Sequence, residues 1–329
     1  MAKVLTLAFL GDLMLGRGVS RMLGDHTPEW FWGNVLTILR QTDGVIANLE
    51  APITTSNEQW RRSWKTFHFR ADPAAIRILE CGNVRFVCLA NNHILDFGAP
   101  GLLDTLRALD AAGVHHAGAG RNAVEAAAPT VLELPGLKVG LIAATDNMRP
   151  FAAGPDRPGT NFIAIADEPG KLAWIDRSVS EVRQAGAGLV VLSLHWGPNM
   201  RMTPPRHFRR FAHAAIDHGV DVIHGHSAHV VQAIERHGGG IILYDTGNFI
   251  DDYWKFPFRQ TTTSFVFLLD IEDGRSARLR MVPVHIHSSP LGLATGKSFD
   301  AIRKRMTSLC ATFGTPIIDT AAGLEVPMS

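Results

Sequence analysis

The chain has 329 residues, 46% hydrophobic and 19% charged, with a formal net charge of +1. This is ordinary globular composition, which excludes global disorder, and the near-neutral balance indicates no basic nucleic-acid surface and no nucleic-acid partner. Three cysteines, Cys81, Cys88 and Cys310, cannot all pair and none sits in a CxxC motif, so a reduced, intracellular chain is the simplest reading.

In chain order, "KVLTLAFL" (3–10) is predicted as a strand, followed by "GVIANLE" (44–50). "DPAAIRILECG" (72–82) has an early Pro, helical apolar spacing and a Gly stop, and so is predicted as a helix. "VRFVCLA" (84–90) is a strand. "PGLLDTLRALDAAG" (100–113) repeats Leu at helical spacing and ends at Gly113. "LKVGLIAAT" (137–145) and "LVVLSLH" (189–195) are bounded, β-branched runs. "PPRHFRRFAHAAIDHG" (204–219) is a helix between Pro and Gly. The strands "GVDVIHG" (219–225), "IILYDTGNF" (241–249) and "TSFVFLLDI" (263–271) follow, and "SFDAIRKRMTSLCATFG" (298–314) is an amphipathic helix. Strand–helix alternation predicts an α/β chain with a mainly parallel or mixed sheet and helices on both faces. The Pro- and Gly-rich segment 147–162 is predicted as a surface loop beside the site.

The opening stretch "MAKVLTLAFLGDLMLG" is apolar but carries Asp12, lacks a small-residue cleavage site and is too short to span a bilayer. No later segment reaches spanning length without charge. The expectation is a soluble, cytoplasmic protein with no membrane anchor.

The odd polar residues fall at strand ends: Asp12; Asn48 and Glu50; Asn91, Asn92 and His93, with Asp96 behind; His195; His224, His226 and His229; Asp245 and Asn248. In open α/β sheets, ligands bind beyond the carboxyl ends of the strands. Taken singly, each residue has a plain structural role. Asp12 could cap a helix, Asn91 and Asn92 could form a turn, and a lone His195 is more often a satisfied core histidine. Taken together, ligand-type groups at five or six separate strand ends point to a metal or polyanion site. Imidazoles with carboxylates and an amide suit Zn, Mn, Fe or Ca better than a thiolate site would.

"GDLMLGR" (11–17), "NLEAPIT" (48–54), "ANNHILDFG" (90–98), "LHWG" (194–197), "GHSAHVVQ" (225–232) and "YDTGNF" (244–249) stand in the order found in the CapA family of poly-γ-glutamate capsule synthesis, which the chain resembles over roughly residues 3–250. The resemblance implies a calcineurin-like metallophosphatase fold, a central β-sandwich flanked by helices. It implies a catalytic domain over 1–290 and a C-terminal helical extension over 291–329 packed on it. It further implies that Asp12, Glu50, Asn92, His195, His226 and His229 hold a divalent metal ion, with one ion tightly bound, and that His93, Asp96, His195 and His226 are catalytic. Met14 stands where the superfamily has a histidine, which puts two-metal phosphatase chemistry in doubt and suggests that Met14→His could restore a second ion.

Two enzymatic expectations and one binding expectation follow. In the first, the resemblance implies a metal-dependent enzyme acting on a peptide or γ-polyglutamate, with His/Asp acid–base chemistry at a metal-polarised amide: peptide epimerisation (an isomerase), or amide hydrolysis or transfer (a hydrolase or transferase). In the second, the chain is a metal-dependent phosphoesterase. In the third, it binds polyglutamate without turnover. Arg17, Asn48, Lys65, Trp196 and Asn248 are the expected substrate contacts. In the insert 54–73, Trp60 or Trp64 could cover the cleft while Arg61, Arg62 or Lys65 binds a carboxylate; the insert could equally be an amphipathic loop folded over the core. Trp30, Trp32 and Trp254 line the same mouth or only pack.

Overall fold

In the computed structural model, residues 4–165, 169–253, 261–286, 290–320 and 323–327 are described. Trp254 lies outside them.

Period-two alternation builds the architecture. In the first strand, Leu5–Leu13, the side chains of Leu7 and Phe9 enter one apolar cluster and those of Ala8 and Leu10 enter another. The first cluster is shared by two sheets: Leu7, Phe9, Ile46 and Phe86 from one face Val139, Leu141, Val191 and Val222 from the other. The outer face of the first sheet is covered by helices that supply Phe31, Trp32, Ile78, Leu102 and Leu106. The outer face of the second is covered by Ile175, Phe208 and Phe211. The result is an α/β fold: a β-sandwich flanked by helices.

The first sheet runs Ile318–Thr320, Gly323–Pro327, Arg275–His285, Thr263–Glu272, Leu5–Leu13, Gly44–Leu49, Val84–Cys88, His115–Ala117; its last four strands are parallel. The second runs Ile234–His237, Gly240–Leu243, Val222–His226, Leu189–His195, Leu137–Thr145, Thr130–Leu134, with a parallel centre and antiparallel edges. The helix predicted over 204–219 is Arg206–Asp217. It buries Phe208, Phe211, Ala212, Ala215 and Ile216, an i, i+3, i+4, i+7, i+8 stripe. Each of its large apolar side chains contributes about 1.5–3 kcal/mol on full burial.

Two expectations change. "IILYDTGNF" is not one strand. Gly240–Leu243 belongs to the second sheet and Asn248–Ile250 pairs with the first, so the chain crosses the sandwich at Tyr244–Gly247. Gly247 has φ +72°, and a Cβ on Gly11 would lie 1.7 Å from the Gly247 oxygen, so both positions need glycine for the crossing chain to touch the first strand. The C-terminal part is also more than helical. Helix Gly296–Ala311 is followed by Ile318–Thr320 and Gly323–Pro327, and the latter pairs with Arg275–His285 and buries Leu324 and Val326 between the sheets. Among the described residues, no helix is long and apolar enough to cross a membrane.

Candidate metal centre

Strand register assembles the site. Asp12 lies level with Asn48 on one side and Asn248 on the other, and His226 lies level with His195. Both groups sit at carboxyl ends of parallel strands, one in each sheet, so the two sheets meet at one polar rim. Two sets of three ligand atoms, from Asp12, His195 and His226 and from Asp12, Glu50 and His229, each lie within 4.8 Å of one another. Asp12 is the shared corner.

The contacts around this rim are specific. Asn48 Nδ2 donates to Asp12 Oδ1 at 2.8 Å and lies 3.4 Å from His195 Nδ1. His195 Nδ1 and His226 Nδ1 are 3.0 Å apart. His229 Nδ1 donates to Asn248 Oδ1 at 2.8 Å, which leaves Nε2 on the side of Glu50, 3.8 Å from Oε1. Orientation of a ligating imidazole by a hydrogen bond from its other nitrogen is the usual support of a metal-binding histidine. Tyr253 donates its hydroxyl to Glu50 Oε2 at 3.1 Å. His229 itself has φ +60° and Ser227 φ +112°, left-handed backbone that costs energy and is held by the surrounding structure. Asp245 holds this turn, accepting from Ala228 N at 2.7 Å and Gly247 N at 2.8 Å.

The electrostatics are those of a site built for positive charge. Burial alone would raise the Asp12 carboxyl, but His229, His195 and Asn48 outweigh it and hold the carboxyl below the usual range. Burial and then the Asp12 charge push Glu50 well up. Burial opposes a charge on His229, yet Glu50 and Asp12 carry it to about 10. Burial lowers His195 to about 3 and His226 well below its ordinary value, so both rings are neutral and have a lone pair to offer. Glu50 Oε1 and Asn92 Oδ1 are buried with no hydrogen-bond partner, and Asp12 Oδ2 has the His229 Nδ1 3.2 Å away. Two buried carboxylates gathered on one imidazole call for a cation. The residues present fit a divalent ion that takes the place of the His229 proton.

His93 stands at the wall of the cleft. Its Nδ1 donates to Asp96 Oδ2 at 2.7 Å, which also accepts from Phe69 N at 2.7 Å. The ring stacks on Phe69 at 4.1 Å, so Nε2 is the nitrogen left for chemistry. Burial and then the Lys65 charge keep His93 neutral, well below its usual range. Burial lifts Asp96 to about 7. The cleft above these groups, about 520 Å³, is lined by Arg17, Phe69, Asn92, His93, His229 and Tyr253 among others.

Several expected substrate contacts are placed otherwise. Trp196 is corrected: it is buried on the far side of its strand, donates Nε1 to Tyr244 O at 2.9 Å and packs against Phe208, so it is a core residue. Lys65 lines the cleft, and its ammonium lies 3.2 Å from Asp96 Oδ1 and donates to Asn92 O at 2.5 Å, bracing the His93 support. Asn48 and Asn248 are occupied with Asp12 and His229, although Asn248 also lines the cleft. Arg17 lines the cleft, 3.5 Å from Asp252 and over the Phe69 ring. Trp60 packs on Phe151 and Trp32 donates to Ile78 O inside the helix-side core, while Trp30 stacks on His26; among these described tryptophans it is Trp64 that stands exposed at the mouth. Met14 is buried in the helix-side apolar cluster.

The sequence placed Asn91 among the strand-end polar residues without a role of its own, and did not single out Tyr253. Asn91 bonds Asn48 Oδ1 and Leu49 O and accepts from the amides of His93 and Ile94, so it ties the second and third strand ends together. Its signal was visible as the first Asn of "ANNH". Tyr253 gave none, because its link to Glu50 spans 203 residues.

The chain is a helix-flanked β-sandwich with a buried rim of imidazoles and carboxylates. Residues 6–253 match the family described as bacterial capsule synthesis protein PGA_cap, and the chain belongs to that family. It is 30% identical to a Mycobacterium tuberculosis protein named "Probable polyglutamine synthesis accessory protein", over 96% of this chain and 93% of that one. It is 28% identical to the capsule biosynthesis protein CapA of Bacillus anthracis, over 92% of this chain and 73% of that one. A calcineurin-like phosphoesterase of Bacillus subtilis overlays 95% of the chain, and is itself covered in full, at a TM-score of 0.47 and 10% identity, too loose a likeness to rest an argument on.

Proposed function

We propose that this chain is a CapA-like, metal-dependent enzyme that acts on a peptide or γ-polyglutamate backbone. Asp12, His195, His226, Glu50 and His229, with Asn92 at the cleft, would hold a divalent ion, and one tightly bound ion is the occupancy we favour. Such an ion supplies Lewis-acid polarisation of an amide carbonyl. His93 moves the proton. With Nδ1–H fixed on Asp96 and the ring kept neutral, Nε2 is a base facing the cleft, and after protonation it returns the proton as an acid. Lys65 and Phe69 hold this pair in place. Proton removal at Cα by His93, followed by protonation of the planar carbanion on its opposite face by solvent or a second acid, gives epimerisation; attack of water or an amine on the carbonyl, with His93 delivering the proton to the leaving amine, gives hydrolysis or transfer.

The observation that carries this reading is the set of buried carboxylates, Asp12 and Glu50, gathered on His229 beside the neutral imidazoles of His195 and His226 under a cleft. The approach to that cleft supports an anionic substrate. Arg17 is shared with a neighbouring groove that also holds Arg21 and Arg70, and Gln59 joins that groove to another holding Arg61, Arg62 and Arg157. Carboxylates along a chain would meet guanidinium groups there.

One observation favours a second reading. Asp12 belongs to both ligand sets, and a shared carboxylate is what a two-ion phosphoesterase needs. A single experiment separates the readings. A γ-linked glutamate oligomer is incubated with the protein and Mn²⁺ in heavy water and followed by mass spectrometry, beside a generic phosphodiester. Deuterium uptake at Cα without cleavage supports epimerisation, and shortened products support amide hydrolysis. Phosphodiester turnover alone moves the assignment to phosphoesterase. Binding without any turnover would leave a polyglutamate-binding protein.

A further inference from the structure

His224 is the third histidine of its cluster and belongs to neither ligand set. It lies opposite Ser193 in the parallel pair of strands that also sets His226 opposite His195. These four residues share the face that, two residues further back, carries Val191 and Val222 into the core between the sheets. Ser193, His224 and His226 are fully buried. No water competes for their hydrogen bonds, so each proton has a defined place.

The chain of contacts runs in one direction. His224 Nε2 lies 2.7 Å from Leu10 O, His224 Nδ1 lies 3.1 Å from Ser193 Oγ, and Ser193 Oγ lies 3.1 Å from His226 Nε2. A carbonyl only accepts. His224 Nε2 therefore carries the ring proton, and Nδ1 of the neutral ring is bare. Ser193 must donate its hydroxyl to that Nδ1, which turns an oxygen lone pair towards His226. His226 then donates from Nε2. Its Nδ1 is left bare, 3.0 Å from His195 Nδ1 and 3.8 Å from Asp12 Oδ1.

We propose that Ser193 and His224 are positioning residues that set the tautomer of His226 and so hold its Nδ1 as a lone-pair donor for the divalent cation. The last clause rests on the metal reading of the centre; the tautomer relay does not. The opposite tautomer would aim an N–H at Asp12 and His195 and satisfy with a proton the corner meant for the ion. Outer-shell partners of this kind commonly change metal affinity about 10–100-fold when removed.

The test reads tautomer and affinity separately. Long-range proton–nitrogen spectra of histidine-labelled, chelator-treated protein report which ring nitrogen of His226 is protonated, the resonance being assigned by its loss in His226→Asn. Calorimetry reports Mn²⁺ binding. We expect Nε2–H in the native protein. His224→Phe frees the Ser193 hydroxyl to donate to His226 Nε2 and should reverse the tautomer. Ser193→Ala should mix the two tautomers and weaken Mn²⁺ binding about 10–100-fold, and Ser193→Thr, which keeps the hydroxyl, should restore both readouts. A native His226 protonated on Nδ1 overturns the relay. So does a His224→Phe or Ser193→Ala protein that melts lower but keeps the native tautomer and affinity, because the role is then structural only. A native protein that takes up no Mn²⁺ overturns the metal-donor role, while the metal-free spectra still decide the relay.

Discussion

His93 illustrates how one side chain is prepared by others. Its Nδ1 proton is committed to Asp96, and Asp96 keeps the Phe69 amide and the Lys65 ammonium if the imidazole is removed. His93→Ala should therefore lower turnover about 10²–10⁴-fold with little change in melting temperature. Steady-state kinetics beside thermal unfolding checks this, and normal turnover would remove His93 from the mechanism. Met14 teaches the opposite lesson. Aligned with a superfamily histidine, it invites Met14→His as a way to rebuild a ligand. Its side chain lies among helix-side apolar residues instead. An imidazole there would be desolvated among those residues, so Met14→His should destabilise the fold by about 1–3 kcal/mol and add no phosphodiester turnover. Denaturant unfolding and a Mn²⁺-supplemented phosphodiester assay test both halves.

At the scale of elements, the polar rim depends on two turns being held. Asp245 accepts from Ala228 and Gly247 and so fixes both the His226–His229 turn and the crossing chain. Burial lifts the Asp245 carboxyl to about 8, so Asp245→Ala should cost about 1–3 kcal/mol for each buried amide left unpaired and release His229 from Asn248. Loss of Mn²⁺ binding with a lowered unfolding midpoint is the expected pair of results. Far from the rim, Asp270 ties the Thr263–Glu272 strand to its neighbours through Thr6, Arg278 and Arg280. Partial burial would raise its carboxyl, but these donors outweigh burial and hold it below 3.8. A depressed folded-state pKa contributes stability above the unfolded value that is lost as pH falls through the folded one. Asp270→Asn should flatten that acid-side loss in pH-dependent unfolding.

The same scale shows what was legible beforehand. Leu137–Thr145 and Leu189–His195 match the predicted strands end for end, because bounded β-branched runs with buried partners on both faces declare themselves locally. The break inside "IILYDTGNF" did not, since its cause is a glycine contact across 236 residues, Gly11 with Gly247. Arg275–His285 was also missed. Its first half, "RSARL", has no clear alternation, and it becomes a strand by pairing with Thr263–Glu272. Strand-end Asp, Asn and His residues announced the site because polar groups after apolar runs need partners. Trp196 was misjudged because side-chain direction is set only by the fold, and the pairing of Lys65 with Asp96, 31 residues away, gave no local signal.

For the molecule as a whole, two sheets close on one another and the chain end completes the seam. Leu324 and Val326 lie in the core between the sheets. Removing residues 323–329 should cost about 1.5–3 kcal/mol for each of these side chains, read as a lowered midpoint in denaturant unfolding. The seam matters because the site is made by neither sheet alone: Asp12 and Glu50 follow strands of one, and His195, His226 and His229 follow strands of the other. Asp12 is the corner common to both ligand sets. Calorimetric titration of Mn²⁺ into chelator-treated protein, native beside Asp12→Asn, therefore tests the account most directly. Saturable binding near one ion per chain that the single substitution abolishes is the expected result. No binding by the native protein, or equal binding by both, would contradict it.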